Sequence, residues 1–365
     1  MSSSRTEPAD PRAVQGQLGS RSLLLEYAAG ENGSFLFAAG RREFRVFRLP
    51  SEGRLAEHVR ALRAAIAVGP SRSQAAAYIL HARALYDELV APAAALLVGK
   101  DHLIIVPDGI LRYLPFEALL GPKGDDAYLV RDFAISYAPS AGVLMAVRRR
   151  LRSAPQGPVS LIAFGDPDYG SRPAANLAPA VAPLRHSRRE VEAIAGLYPA
   201  GRRQVLLGRD ADEERVKSLR TAGRRILLHF SAHAVLNERR PQFSGLVLSG
   251  GGLLQVYEVM NLDLELEMVV LSACETGLGK DVRGEGLTGL TQAFLYAGAP
   301  AVLVSLWKVD DRSTAELMIG FHRFLRETKL GKAEALRRAQ LELIQGGEFR
   351  HPYYWAPFVI TGDGS

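Results

Sequence analysis

One cysteine occurs in the 365 residues of this chain, Cys274, and it stands at the end of the apolar run Met268-Val-Val-Leu-Ser-Ala273. Upstream, the run Ile226-Leu-Leu-His-Phe-Ser-Ala232 ends in His233. The thiolate is the nucleophilic form of cysteine, and a thiol with an ordinary pKa of about 8.5 is mostly protonated at neutral pH. An imidazole that takes the proton makes it a competent nucleophile. A thiol and an imidazole at two strand ends are therefore the least equipment of a cysteine hydrolase. Each residue also has a structural alternative. A lone cysteine is often a small buried hydrophobe, and a histidine at a strand end is often a surface or capping residue. His229, four residues earlier on the same strand face, would lie about 13 Å from His233 at about 3.3 Å per residue, and it reads as a core or supporting residue. His-x-x-x-His binds zinc on a helix, but on a strand the two rings diverge. Phe230 also stands where His-Glu-x-x-His needs its glutamate, so no metal site is expected.

Other residues fall near the same strand ends. Ser272 precedes Cys274 by two positions and reads as a pocket wall, since no Gly-x-Ser-x-Gly elbow occurs. Asp310 and Asp311 follow the strand Ala301-Val-Leu-Val-Ser-Leu-Trp307, where a carboxylate would suit a cationic substrate side chain. Asp311 has a competing job at the start of a helix carrying a Ser313-x-x-Glu316 capping box, which leaves Asp310 the freer of the two. Trp307 is either a pocket wall or core. Gly284-x-Gly286-x-x-Gly289 matches a dinucleotide fingerprint in form, but the strand before it ends at Ala273, too early for a tight strand-to-helix turn. Nucleotide binding is thus a third reading without the turn that it needs.

The elements that must position these residues follow from periodicity. Leu23 to Tyr27, Phe35 to Phe37 and Glu43 to Leu49 read as an antiparallel meander, with Asn32-Gly33 as its first turn. Helical stripes follow over Leu55 to Ile66 and Ser73 to Leu97, then the buried strand His102 to Val106 and another over Phe133 to Tyr137. Beyond a Ser/Pro/Gly-rich boundary at Leu151 to Pro158, continuous apolar strands (Ser160 to Phe164, Ile226 to Ala232, Met268 to Ala273, Ala301 to Trp307) alternate with helices. That pattern means a mostly parallel α/β sheet covered on both faces. In such sheets ligands gather outside the carboxyl ends of the strands, where His233 and Cys274 both lie. Residues 1–20 lack apolar periodicity and read as a disordered tail or linker.

Composition narrows the class. An apolar fraction of 47% supports a core, one cysteine allows no internal disulfide, and no leader or run of 18 apolar residues is seen, so a soluble protein of a reducing cytoplasm is expected, with no membrane contact. The net charge of +6 comes from scattered arginines without interleaved aromatics, which reads as solvated surface and argues against nucleic acid as a direct partner.

Four segments together, Leu228-His-Phe-Ser-Ala-His-Ala234, Leu271-Ser-Ala-Cys-Glu-Thr-Gly277, the glycine-punctuated stretch from Gly284 to Ala299 and Val304-Ser-Leu-Trp-Lys-Val-Asp-Asp311, resemble the CHAT domain, a caspase- and separase-like cysteine peptidase usually attached to TPR repeats. The resemblance extends through Val106-Pro-Asp-Gly109 and Tyr113-Leu-Pro-Phe-Glu-Ala118 to Trp355, covering most of residues 23–362. It implies a caspase-like fold with an N-terminal inactive subdomain over 21–150 and a catalytic one over 158–363. It implies His233 and Cys274 as the dyad of an endopeptidase that needs no cofactor. It also implies a protein substrate cut after a basic residue, and TPR-containing or other regulatory partners such as those of bacterial defence. The family places Gly directly after the histidine. Here the position is Ala234, whose N–H joins that of Cys274 as an oxyanion donor where the backbone needs no positive φ. A proteolytically inactive CHAT-type interaction module is the alternative.

Overall fold

Apolar runs rich in Val, Ile and Leu become buried parallel strands, and the amphipathic stretches between them become the helices that cover those strands. The computed structural model describes residues 10–69, 72–154, 157–170, 182–221, 223–237, 239–275, 285–327 and 330–365. The strands are β1 (Ser22–Ala28), β2 (Ser34–Ala39), β3 (Phe44–Leu49), β4 (His102–Val106), β5 (Ala134–Tyr137), β6 (Ser160–Pro167), β7 (Arg203–Gly208), β8 (Ile226–Val235), β9 (Gly245–Val247), β10 (Leu253–Gln255), β11 (Leu266–Glu275), β12 (Ala301–Ser305) and β13 (Phe358–Gly362). Two units form, one of Met1–Ser153 with Leu330–Ser365 and one of Ala154–Lys329.

In the first unit the strand order is β13-β5-β4-β1-β2-β3. The meander β1-β2-β3 is antiparallel, and Gly33 takes the positive φ of 142° that its first turn requires. From β1 inward the pairing is parallel, through β4 and β5 to β13. The second long helix spans Arg72–Leu89 and gives way to a 3-10 turn, Ala91–Ala93, instead of running to Leu97, because Pro92 has no N–H to continue it. Two segments depart from expectation. Pro11–Gln17, within the expected tail, is a helix capped by Asp10, and Val14 and Leu18, four residues apart, sink into a cluster with Leu24, Ile104 and Leu144. Residues from 330 onward, expected with the second half, belong to the first unit. There β13 lies parallel to β5, Arg337 Nε donates to the Val130 carbonyl at 2.8 Å, and Arg148 pairs with Asp363 at 2.8 Å.

In the second unit β7, β6, β8, β11 and β12 run parallel. Beside β8, strand β6 pairs as far as Gly165↔Ser231, and the hairpin β9-β10 then takes its place at His233↔Val247. Every residue of β8 from Ile226 to Ala234 is buried, as a central strand demands. On one face Phe230 stacks on Phe164 at 4.9 Å and meets Phe294 of the helix Glu285–Tyr296 at 6.0 Å. The helices Ser187–Gly196 and Asp311–Glu327 supply the partners of His229 on the other. Gly286 and Gly289 fall inside the helix Glu285–Tyr296, not in a phosphate-binding turn, and Gly284 lies outside the described residues.

Candidate active site

Parallel pairing of β8 with β11 holds register over Met268↔Leu227 to Glu275↔Ala234, and it sets Cys274 opposite His233 and Ser272 opposite Ser231. Neighbouring strands lie about 4.8 Å apart, so the two backbones are adjacent at the carboxyl edge of the sheet. The side chain of Cys274 lies outside the described residues.

His233 is 7% exposed, and its Nε2 lies 2.7 Å from the Ala182 carbonyl. A carbonyl only accepts, so Nε2 carries the proton and the neutral ring keeps its lone pair on Nδ1. Nδ1 is buried and has no hydrogen-bond partner among the described residues. Burial, more than any neighbour, holds the ring below the ordinary histidine pKa; the Ala182 bond and Asp311 push the other way, and Lys308 adds to the lowering. The arrangement is a neutral imidazole whose one free nitrogen is ready to accept a proton. Tyr169 packs its ring on His233 at 5.5 Å, and its hydroxyl receives a long bond from the His233 N–H at 3.4 Å.

A turn at the end of β6 delivers Tyr169. Asp166 has φ 46°, the one non-glycine residue with positive φ among those described, and the register of β6 slips between Gly165 and Pro167. Such strained positions cluster at functional sites. The Asp166 N–H donates to Ser187 Oγ at 2.8 Å, and its carboxylate pairs with Arg188 at 2.8 Å.

Asp310 and Asp311 both reach this edge, with their expected roles exchanged. Asp310, exposed, is the helix cap: its Oδ1 accepts from the Ser313 N–H at 2.9 Å and its carbonyl takes the Thr314 hydroxyl at 2.8 Å. Asp311, the first helical residue, is half-buried and accepts the His186 N–H at 2.9 Å. Capping needs the residue just before the helix, and the helix begins at Asp311. Ser272 is 3% exposed with an Oγ that has no partner among the described residues, and Trp307 is half-buried just past β12. Ala234 is buried in extended backbone, between Leu246 and Glu275, with no positive φ to penalise a Cβ. His229 is fully buried, its Nε2 at 2.8 Å from Glu190 Oε1. Tyr169, Ala182, Lys308 and Glu190 were not read from the sequence. The turn-forming run Gly165-Asp166-Pro167-Asp168 after a buried strand was a usable signal for Tyr169, whereas Ala182 contributes only a carbonyl. No group of three or more His, Cys, Asp or Glu among the described residues is placed to hold a metal, and no described helix is long and apolar enough to cross a membrane.

The chain is thus a mostly parallel α/β sheet in which a cysteine and a histidine stand in register near the ends of adjacent strands. The chain belongs to the CHAT domain family, whose model matches residues 80–363. It is 28% identical over 334 residues to tetratricopeptide repeat protein 28 of Homo sapiens and 27% over 336 residues to the protein of that name in Mus musculus. Each match covers 77% of this chain but only 13% of the relative, so the chain spans a small part of the curated relatives that it matches. The Saccharomyces cerevisiae separase–securin complex superposes with a TM-score of 0.58 at 13% identity, covering 96% of this chain and 31% of that one, which is a likeness of fold.

Proposed function

We propose that the chain is a cysteine endopeptidase that cuts a protein partner after a basic residue. The Cys274 sulfur attacks the scissile carbonyl, and His233 Nδ1 takes the thiol proton and returns it to the leaving amine. Water then hydrolyses the thioester. The N–H groups of Cys274 and Ala234 hold the oxyanion. Asp311 receives the cationic side chain, beside the capping carboxylate of Asp310, with Ser272 and Trp307 as walls. The observation that carries this reading is the Cys274↔His233 register combined with an imidazole whose Nε2–H is spent on Ala182, leaving Nδ1 as the free base. The chain acts in the cytoplasm, with a TPR-containing or other regulatory protein as its partner.

A second reading, a proteolytically silent module that holds a peptide in the same cleft, is favoured by Ala234, which stands where the family has Gly and is flanked by β9 and β11. Mapping new protein N-termini in cells with the wild type and with Cys274→Ala separates the two. The peptidase yields cuts after Arg or Lys that vanish in Cys274→Ala, and identical maps support the silent module.

A further inference from the structure

We infer that Glu190 is a positioning residue for His233, acting through a buried hydrogen-bond chain that ties the helix Ser187–Gly196 to β8. This rests on the peptidase reading. His229, Ser231 and His233 alternate along β8 and so share one face, and their exposures are 0%, 1% and 7%. Glu190, itself 1% exposed, uses both carboxylate oxygens against this face, Oε1 to His229 Nε2 at 2.8 Å and Oε2 from the Ser231 hydroxyl at 3.1 Å. A carboxylate only accepts, so it sets the direction of everything behind it. His229 Nε2 carries a proton, and in the neutral ring His229 Nδ1 then accepts from His322 Nε2 at 3.2 Å. His322 Nδ1 in turn accepts from the Tyr198 hydroxyl at 3.1 Å. Every donor in the chain meets one acceptor, as buried polar groups require.

The chain matters to the site because of what precedes Glu190. One turn earlier, Ser187 Oγ donates to the Ser231 carbonyl at 2.7 Å and accepts from the Asp166 N–H at 2.8 Å, so one hydroxyl bridges β8 to the turn that carries Tyr169. The His186 N–H is held by Asp311. Four residues before His186 comes Ala182, whose carbonyl fixes the His233 tautomer. Glu190 thus anchors the helix whose approach segment orients the imidazole, and without that anchor the ring loses its fixed acceptor and Nδ1 its assigned lone pair.

The single thiol makes the test independent of substrate: iodoacetamide alkylation of Cys274 is followed against pH in folded wild type, His233→Ala, Glu190→Ala and Glu190→Gln. The wild type reacts on the order of tenfold faster at pH 6.5 than His233→Ala, whose rate follows an ordinary thiol. Glu190→Ala loses most of that advantage. Glu190→Gln keeps it, because the chain can reverse: the amide N–H donates to His229 Nε2, each later proton moves to the opposite ring nitrogen, the Tyr198 hydroxyl turns from donor to acceptor, and the amide oxygen keeps the Ser231 hydroxyl. A wild-type profile in folded Glu190→Ala, with His233→Ala slowed, overturns the inference alone. So does a Gln variant as impaired as Ala, which would assign the effect to charge. An unaltered profile in His233→Ala overturns the peptidase reading and this inference with it. If Glu190→Ala does not fold, Ser187→Ala removes the bridge while keeping the carboxylate. It should lie between wild type and His233→Ala, and a wild-type profile there overturns the inference.

Discussion

Replacing Gly165 with alanine drives a methyl group between β6 and the helix Ser187–Gly196. The added Cβ would lie 2.6 Å from Val191 Cγ2, 3.2 Å from Val191 Cβ and 3.3 Å from Ser187 Oγ. Carbon atoms rest at about 3.5–4.0 Å, so Val191 must yield by about an ångström. Val191 and Ser187 are both fully buried, and a β-branched side chain in a helix is held to one strongly preferred rotamer, so Val191 cannot swing aside freely. Overpacking of this kind costs about 1–3 kcal/mol. At about 2–4 °C per kcal/mol for a unit of 150–250 residues, Tm should fall by roughly 2–12 °C. Gly196→Ala is the control on the same helix, since nothing lies within 4 Å of its Cβ and its φ is not left-handed; it should be neutral or stabilising by up to about 1 kcal/mol. Urea and thermal denaturation followed by circular dichroism read both. Gly165→Ala should also slow alkylation of Cys274, because Ser187 is displaced from its bridge. A wild-type midpoint for Gly165→Ala, or an equal loss in Gly196→Ala, would refute the claim that this close approach sets the helix on the sheet.

The remaining predictions concern chemistry and pH. Cys274→Ala and His233→Ala should each abolish cleavage, and the double variant should be little worse than either, because the pair acts as a unit; additive losses would contradict the dyad. Since burial lowers the pKa of His233, the acid limb of kcat/KM should fall below the ordinary histidine value of about 6.5, and a limb above 7 would contradict a neutral base. Asp310→Asn keeps a good cap and should leave Tm nearly unchanged, whereas Asp311→Asn should lower kcat/KM for substrates with Arg before the cut more than for apolar ones; equal losses would remove Asp311 from the pocket. Burial lowers His102 to about 4, so the unfolded chain binds the extra proton first and stability should drop by about 3 kcal/mol as pH falls from 6.5 to 4, a slope that His102→Gln should lack. Glu117, raised to about 8 by burial, works in the opposite sense, with stability lost as pH rises from 4.5 to 8 and that loss absent in Glu117→Gln.

Much of the site was legible because strands announce themselves locally. Ile226 to Ala232 and Met268 to Ala273 are apolar runs of strand length, and each became a parallel strand that carries the marked residue near its carboxyl end, His233 two residues before the end of β8 and Cys274 one before the end of β11. The first reversal was equally local, although it closes from Gly30 to Gly33 with Glu31 and Asn32 at its centre, not with Asn32-Gly33 as the central pair. The exchange of roles between Asp310 and Asp311 came from a helix that starts at Asp311 and not near Ser313, at an end where local signals are weakest. β7, β9, β10 and β13 were not read, since short strands of three to six residues carry little periodicity.

The amino-acid order alone therefore determined which segments are buried strands, which edge carries the thiol and the imidazole, and which family the motifs resemble, because pleat and burial act between neighbours along the chain. Tertiary structure decided the rest. The register that sets Cys274 against His233, the carbonyl 51 residues from His233 that selects its tautomer, and the Asp311 carboxylate 125 residues from the N–H it holds are contacts between distant segments. No local pattern encodes them. They arise when burying the helix Ser187–Gly196 forces its polar groups, Ser187 and Glu190, to find partners on β8.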